Sequence, residues 1–131
     1  MAIDEAWILT LNAGSSSLKF AAFSLVGNKL IAAGQIAAIG SDARLVSGDV
    51  NQTVLATDHR QAVSVALLWL QVNADLCTKP SVIAHRIVHG GTRSMPMEIT
   101  PEVLAEIQQA AALAPLHNPP AIVGIEVLRT L

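Results

Sequence analysis

The chain is poor in charge, in aromatic residues and in cysteine. Charged residues make up 14% of its 131 residues and aromatics 3%, against 52% hydrophobic. That is more apolar and less charged than an average soluble domain. Two readings account for it: an abundance of alanine, or an apolar face that normally presses against something outside the chain. The net charge of -2 is scattered, with no basic stripe, so nucleic acid is not an expected partner. The single cysteine, Cys77, cannot close an internal disulfide, and no Cys/His cluster has zinc spacing. A reducing compartment, most simply the cytoplasm, is the expectation. Met1 to Glu5 carries no cationic leader, and the longest apolar run, Ala62 to Leu70 broken by Ser64, is too short to span a bilayer. Neither a signal peptide nor a membrane anchor is expected. The sequence holds no repeat, low-complexity tract or linker, and its length suits one domain.

What is present reads as an α/β domain. Trp7–Leu11 and Leu18–Leu25 are apolar runs joined by the polar turn Asn12-Ala13-Gly14-Ser15-Ser16-Ser17. Gly27-Asn28 marks another turn before a third strand over Lys29–Ile39, so the first three strands form an antiparallel meander. Short strands are expected at Arg44–Val46 and Thr53–Ala56. Asp58 with Gln61 resembles a capping box, followed by Ala62, Val65, Ala66, Trp69 and Val72 at helical spacing. That predicts a helix to about Asp75. Ser81–Val88 reads as a buried, mostly parallel strand stopped by Gly90-Gly91. Thr100 as N-cap and Pro101 at the first helical position open a helix carrying Val103, Leu104, Ile107, Ala111 and Ala114 and closed by Pro115. Asn118 is the expected cap of a third helix, which carries Ile122, Ile125 and Val127 and runs to Leu131 with no glycine cap behind it. That stop predicts a longer natural chain.

Three groups carry chemistry. The turn from Asn12 to Lys19 concentrates backbone N–H groups, hydroxyls, an amide and an ammonium, all of them anion binders. Gly14 lets the backbone approach a ligand, and a sharp turn can aim successive N–H groups at a phosphate. The GxxxxGK[ST] spacing of a Walker loop is absent, and an ordinary Ser/Gly hairpin turn stands as the plainer alternative. The second group, His85-Arg86-Ile87-Val88-His89-Gly90-Gly91, ends a strand, where α/β sheets bind ligands. A period of two puts Arg86 and Val88 on one face, which suits a carboxylate with a short alkyl tail; a structural ion pair of Arg86 is the alternative. His85 and His89 read as structural, since the i, i+4 metal spacing belongs to a helix. In the third group His117 precedes a helix start, where negative charge is favoured, against the alternative of a solvent-facing histidine.

Together these segments resemble the acetate kinase family, which includes propionate and butyrate kinases. Ile8 to Lys19, His85 to Gly91 and Pro115 to Pro119 match three of its signatures in order; residues 40–58 do not align. The resemblance implies a ribonuclease H-like, actin-like lobe of the acetate and sugar kinase superfamily, spanning residues 1–131. It further implies ATP-dependent phosphorylation of a short carboxylate to an acyl phosphate with Mg2+ as cofactor. By position, Asn12 would meet magnesium and phosphate, Gly14, Ser15 and Ser17 would line the phosphate site, and Lys19 would bind ATP. Arg86 would hold the carboxylate, Val88 and Leu116 would line its alkyl pocket, and His117 would steady the phosphoryl group. The family's later aspartate, histidine, arginine and adenosine-binding C-terminal lobe have no counterpart here, so the chain alone is expected to turn over weakly or not at all. The full-length protein is expected to be a homodimer. A noncatalytic module that binds an oxyanion or a protein partner on the same scaffold, and an unrelated α/β binding domain, are the rival readings.

Overall fold

A computed structural model describes residues 5–76, 78–93 and 95–130. The segment before Glu5, on which the expectation of no leader rested, Cys77 and the chain end at Leu131 lie outside the described residues.

Alternating apolar residues build the sheet. In β1 (Trp7–Ala13) and β2 (Leu18–Ser24) every second side chain is buried. β1 and β2 pair antiparallel, with Asn12 opposite Lys19 and Ala13 opposite Leu18. β3 (Leu30–Ala37) continues the meander, reached through Gly27 and Asn28, both at positive φ. β4 (Arg44–Ser47) and β5 (Val50–Thr53) extend it as a hairpin. β6 (Val82–His85) returns parallel to β1, giving the order β5-β4-β3-β2-β1-β6.

Among the described residues three helices complete the fold. α1 (His59–Asn73) starts at Asp58, whose carboxylate accepts the Gln61 N–H at 2.8 Å, while the Gln61 side chain accepts the Thr57 N–H. α2 (Pro101–Ala110) starts at Thr100, whose hydroxyl accepts the Val103 N–H. α1 and α3 (Asn118–Leu128) pack on the sheet face that carries Leu9, Leu11, Phe20, Ile36 and Leu45, and α2 packs on α3. Burial of each of these large side chains contributes roughly 1.5–3 kcal/mol. Phe20 meets Trp69 edge-on, centroids 5.8 Å apart. Gly34 makes room for that ring: a Cβ there would lie 2.6 Å from the Phe20 ring tip. Among the described residues no helix covers the opposite face of the sheet, and none is long and apolar enough to cross a membrane.

Five expectations need correction. The last short strand is Val50–Thr53, not Thr53–Ala56, because Gly48 at positive φ turns the hairpin tightly and draws the partner strand to follow at once. The strand expected over Ser81–Val88 spans only Val82–His85 and is a sheet edge, with Val82 48% exposed, since among the described residues no strand pairs on its outer side. α1 buries Ala62, Val63, Ala66 and Leu70 and leaves Val72 facing solvent, off the buried stripe. α2 stops at Ala110, well before Pro115; residues 111–117 fold into turns closed by bonds such as Ala114 N–H to the Ala111 carbonyl. A proline also disfavours helix in the residue before it. Finally, α3 ends at Leu128 and its cap position is His117; Asn118 lies inside the helix, fully buried, with its amide used elsewhere.

Candidate functional site

The C-terminal ends of the parallel strands β1 and β6 gather the chemistry, as expected of an α/β sheet. Asn12 lies directly across from Lys19 on β2, and Lys19 in turn lies across from Gln35 on β3. On the other flank, Leu11 pairs with His85, and the Arg86 N–H donates to the Leu11 carbonyl at 2.9 Å, so Arg86 continues the ladder beside Asn12. The result is a row across four strands, Gln35, Lys19, Asn12 and Arg86, spaced by the interstrand distance of about 4.8 Å.

All four line one open groove of about 700 Å³ on the uncovered face, together with Thr10, Ala21, Ala33, Val46, Ser47 and Ala84. Among the described residues no carboxylate lines it. Arg93 by contrast is held by Glu106, which raises the guanidinium pKa and lowers that of the carboxyl through their hydrogen bond, and Arg44 is held by Asn51 and Thr53. Lys19 and Arg86 have no such side-chain partner among the described residues, which leaves two cations for an anionic ligand.

The turn that joins β1 to β2 is compact. Gly14 N–H donates to the Ser17 carbonyl at 2.9 Å, and a Cβ on Gly14 would lie 2.7 Å from the Ser17 hydroxyl. Ser15 is exposed and Ser17 half-buried, and neither lines the groove. The turn also leans on a residue that sequence reasoning passed over: His59 Nε2 lies 2.7 Å from the Gly14 carbonyl and 3.3 Å from that of Ser17. The only signal for it was its place at the start of a capped helix.

Val88 opens instead onto a second cleft, of about 1200 Å³, shared with His89, Met95, Met97 and Ile107. Ala84 and His85 border both spaces. Leu116 and His117 are exposed in the turn before α3 and border neither. They are tied to the Val88 segment through their neighbours, because the Asn118 side chain bonds both the N–H and the carbonyl of His89. Thus Asn12, Lys19 and Arg86 share a groove, Gly14, Ser15 and Ser17 form the adjoining turn, and Val88, Leu116 and His117 stand along the neighbouring junction. Burial lowers the His85 pKa to about 4, so its imidazole is neutral at neutral pH. Gly124 of α3 packs beside it: a Cβ there would lie 3.8 Å from Nδ1, at ordinary contact distance.

Comparison with known proteins follows the same lines. A propionate kinase of Citrobacter rodentium is 38% identical over 95% of this chain, and an acetate kinase of Bacillus cytotoxicus 37% over 93%. In each case the match spans 33% of the relative. The crystal structure of Porphyromonas gingivalis acetate kinase superposes with a TM-score of 0.83 at 31% identity, covering 96% of this chain and 34% of that one. A propionate kinase from Francisella tularensis gives 0.81 at 30%, covering 95% and 34%. The chain therefore spans about a third of the length of the relatives it matches, and its fold is that of their actin-like ATPase lobe. With the acetokinase family model matching residues 7–131, the chain belongs to the acetokinase family.

Proposed function

We propose that this lobe forms part of the reacting site of an ATP-dependent acyl kinase, with the transferring phosphate and a short carboxylate both held over the row Lys19, Asn12 and Arg86. The observation that carries the reading is that row: two cations and an amide side by side on β2, β1 and just past the end of β6, in a groove that no carboxylate among the described residues lines. Arg86 presents a planar fork that matches a carboxylate or a phosphate; Lys19 adds a compact charge, and Asn12 an amide between them. The Gly14–Ser17 turn supplies backbone N–H groups to phosphate oxygens. Val88, Leu116 and His117 stand outside that groove, along the neighbouring junction, and by the family resemblance would meet the alkyl tail and the phosphoryl oxygens from there.

In the reaction a carboxylate oxygen attacks the γ-phosphorus of ATP, the bond from phosphorus to the β–γ bridging oxygen breaks, and ADP leaves. A carboxylate with an ordinary pKa of about 4.5 is ionised at neutral pH, so no general base is needed. Positioning and charge neutralisation suffice. Acetate and propionate differ by one methylene, worth only about 1–3 kcal/mol in a pocket, and relatives of both specificities are similarly close.

Magnesium fits these residues poorly on their own. Asn12 offers one neutral oxygen, and among the described residues no carboxylate lines the groove and no group of three His, Cys, Asp or Glu could hold a metal ion. Mg2+ prefers octahedral oxygen ligands, usually one or two carboxylates besides phosphate. It would arrive on the nucleotide, with Asn12 as its contact on this chain.

The test is a titration of the chain with acetyl phosphate, followed by backbone amide resonances. Saturable shifts at Asn12, Lys19 and Arg86 are expected, with Arg86→Ala weakening them. Flat resonances at all three would refute the reading. A parallel incubation with MgATP and acetate or propionate, trapping acyl phosphate as hydroxamate, separates catalysis from binding alone.

A further inference from the structure

The hydrogen bonds of the Gly14–Ser17 turn are one-sided. In an ordinary closed β-turn the carbonyl of the first residue accepts the N–H of the fourth. Here the Gly14 carbonyl instead meets the imidazole of His59 at 2.7 Å. The same Nε2 lies 3.3 Å from the Ser17 carbonyl, which also accepts the Gly14 N–H, and the Ser16 carbonyl accepts the Ile39 N–H at 2.9 Å. Three of the four turn carbonyls are therefore engaged from outside or across the turn. The N–H groups of Ser15, Ser16 and Ser17 donate to no protein group among the described residues. Both acceptors of Nε2 are carbonyl oxygens, so that nitrogen must carry the proton.

His59 is well placed to hold them. It is the first residue of α1, whose start is fixed by the Asp58 and Gln61 caps, and α1 is packed on β2 and β3. The imidazole is thus anchored to the helical layer while it draws two carbonyls of the turn toward itself.

We propose that His59 is a positioning residue of the phosphate site: its Nε2–H holds the Gly14 and Ser17 carbonyls on the helix side, so that three successive serine N–H groups stay free for phosphate oxygens. This rests on reading the turn as the phosphate-binding element. His59 touches no substrate and acts only through the backbone.

The test uses the whole chain, with acetyl phosphate and pyrophosphate as probes and the amide resonances of residues 15–17 as readout. The wild type is expected to show saturable shifts there. His59→Leu removes the donor and should weaken binding roughly three- to tenfold, the worth of one ordinary hydrogen bond. His59→Gln, which keeps an N–H donor of similar reach, should recover most of the loss; a merely space-filling role would favour leucine over glutamine. Unchanged affinity in His59→Leu overturns the positioning role and leaves the phosphate reading intact. Absence of serine shifts in the wild type removes both. Should His59→Leu fail to fold, the imidazole nitrogen shifts of the wild-type chain decide: an Nε2–H tautomer with a hydrogen-bonded proton supports the proposal, and a bare Nε2 overturns it.

Discussion

Asn118 and His89 exchange hydrogen bonds in both directions. The Asn118 amide donates to the His89 carbonyl at 2.7 Å, and its oxygen accepts the His89 N–H at 3.1 Å. A second donation reaches the Ile107 carbonyl at 3.2 Å on α2. One buried side chain thus fastens the segment after β6 to the start of α3 and to the neighbouring helix, and so sets where Val88 and His117 stand.

Removing that amide leaves backbone groups unsatisfied in a dry place. Asn118→Ala is expected to destabilise the chain by about 2–4 kcal/mol, read from urea unfolding. Asn118→Asp keeps the size but loses both donations and should be as damaging near neutral pH. Stability within about 0.5 kcal/mol of wild type would mean that the junction is held by other contacts.

His85 makes stability depend on pH. Its folded pKa is lowered to about 4 from the ordinary 6.5 because burial disfavours the charged ring. Between those values the unfolded chain binds the proton and the folded chain does not, so stability should fall as pH drops from 6.5 toward 4. The full contribution is about 3 kcal/mol at most. Denaturation midpoints measured at pH 7 and pH 5 should differ in wild type and differ less in His85→Gln; equal slopes in both would dissociate the effect from His85.

Gly34 and Phe20 are a matched pair. Adding a methyl at position 34 drives into the ring that Trp69 also contacts. Gly34→Ala should cost about 1–3 kcal/mol, and combining it with Phe20→Leu should give a loss smaller than the sum of the single losses. Additive losses in a thermal melt would deny the contact.

The cation row predicts a salt-sensitive affinity. Lys19→Met and Arg86→Met should each weaken acetyl phosphate binding without lowering the melting temperature, because both side chains are exposed and lack protein partners among the described residues. Gln35→Met, at the far end of the row, should matter least. Calorimetric titration at low and high salt would reveal whether the ranking holds.

Much of this was legible because local rules and the tertiary structure agree. Alternation in Trp7–Leu11 and Leu18–Leu25 marks half-buried strands, and Asp58 and Thr100 cap helices as their types suggest. The family signatures led to residues at the ends of β1 and β6. Other features depend on partners far along the chain. An Asn before Pro-Pro looks like a cap by local preference, yet His89 and Ile107 claim its amide from 29 and 11 residues away. His59 had no periodic or motif signal, since its role comes from a contact with a turn 45 residues earlier.

Arg86 hangs one residue past the last pair of a strand that is supported on a single flank. When the domain warms, fraying starts at such margins, and the guanidinium loses its station before Lys19 or Asn12 does. Ligand capture is therefore expected to fade some degrees below the cooperative melt, and a bound acyl phosphate would restore order to that strand first.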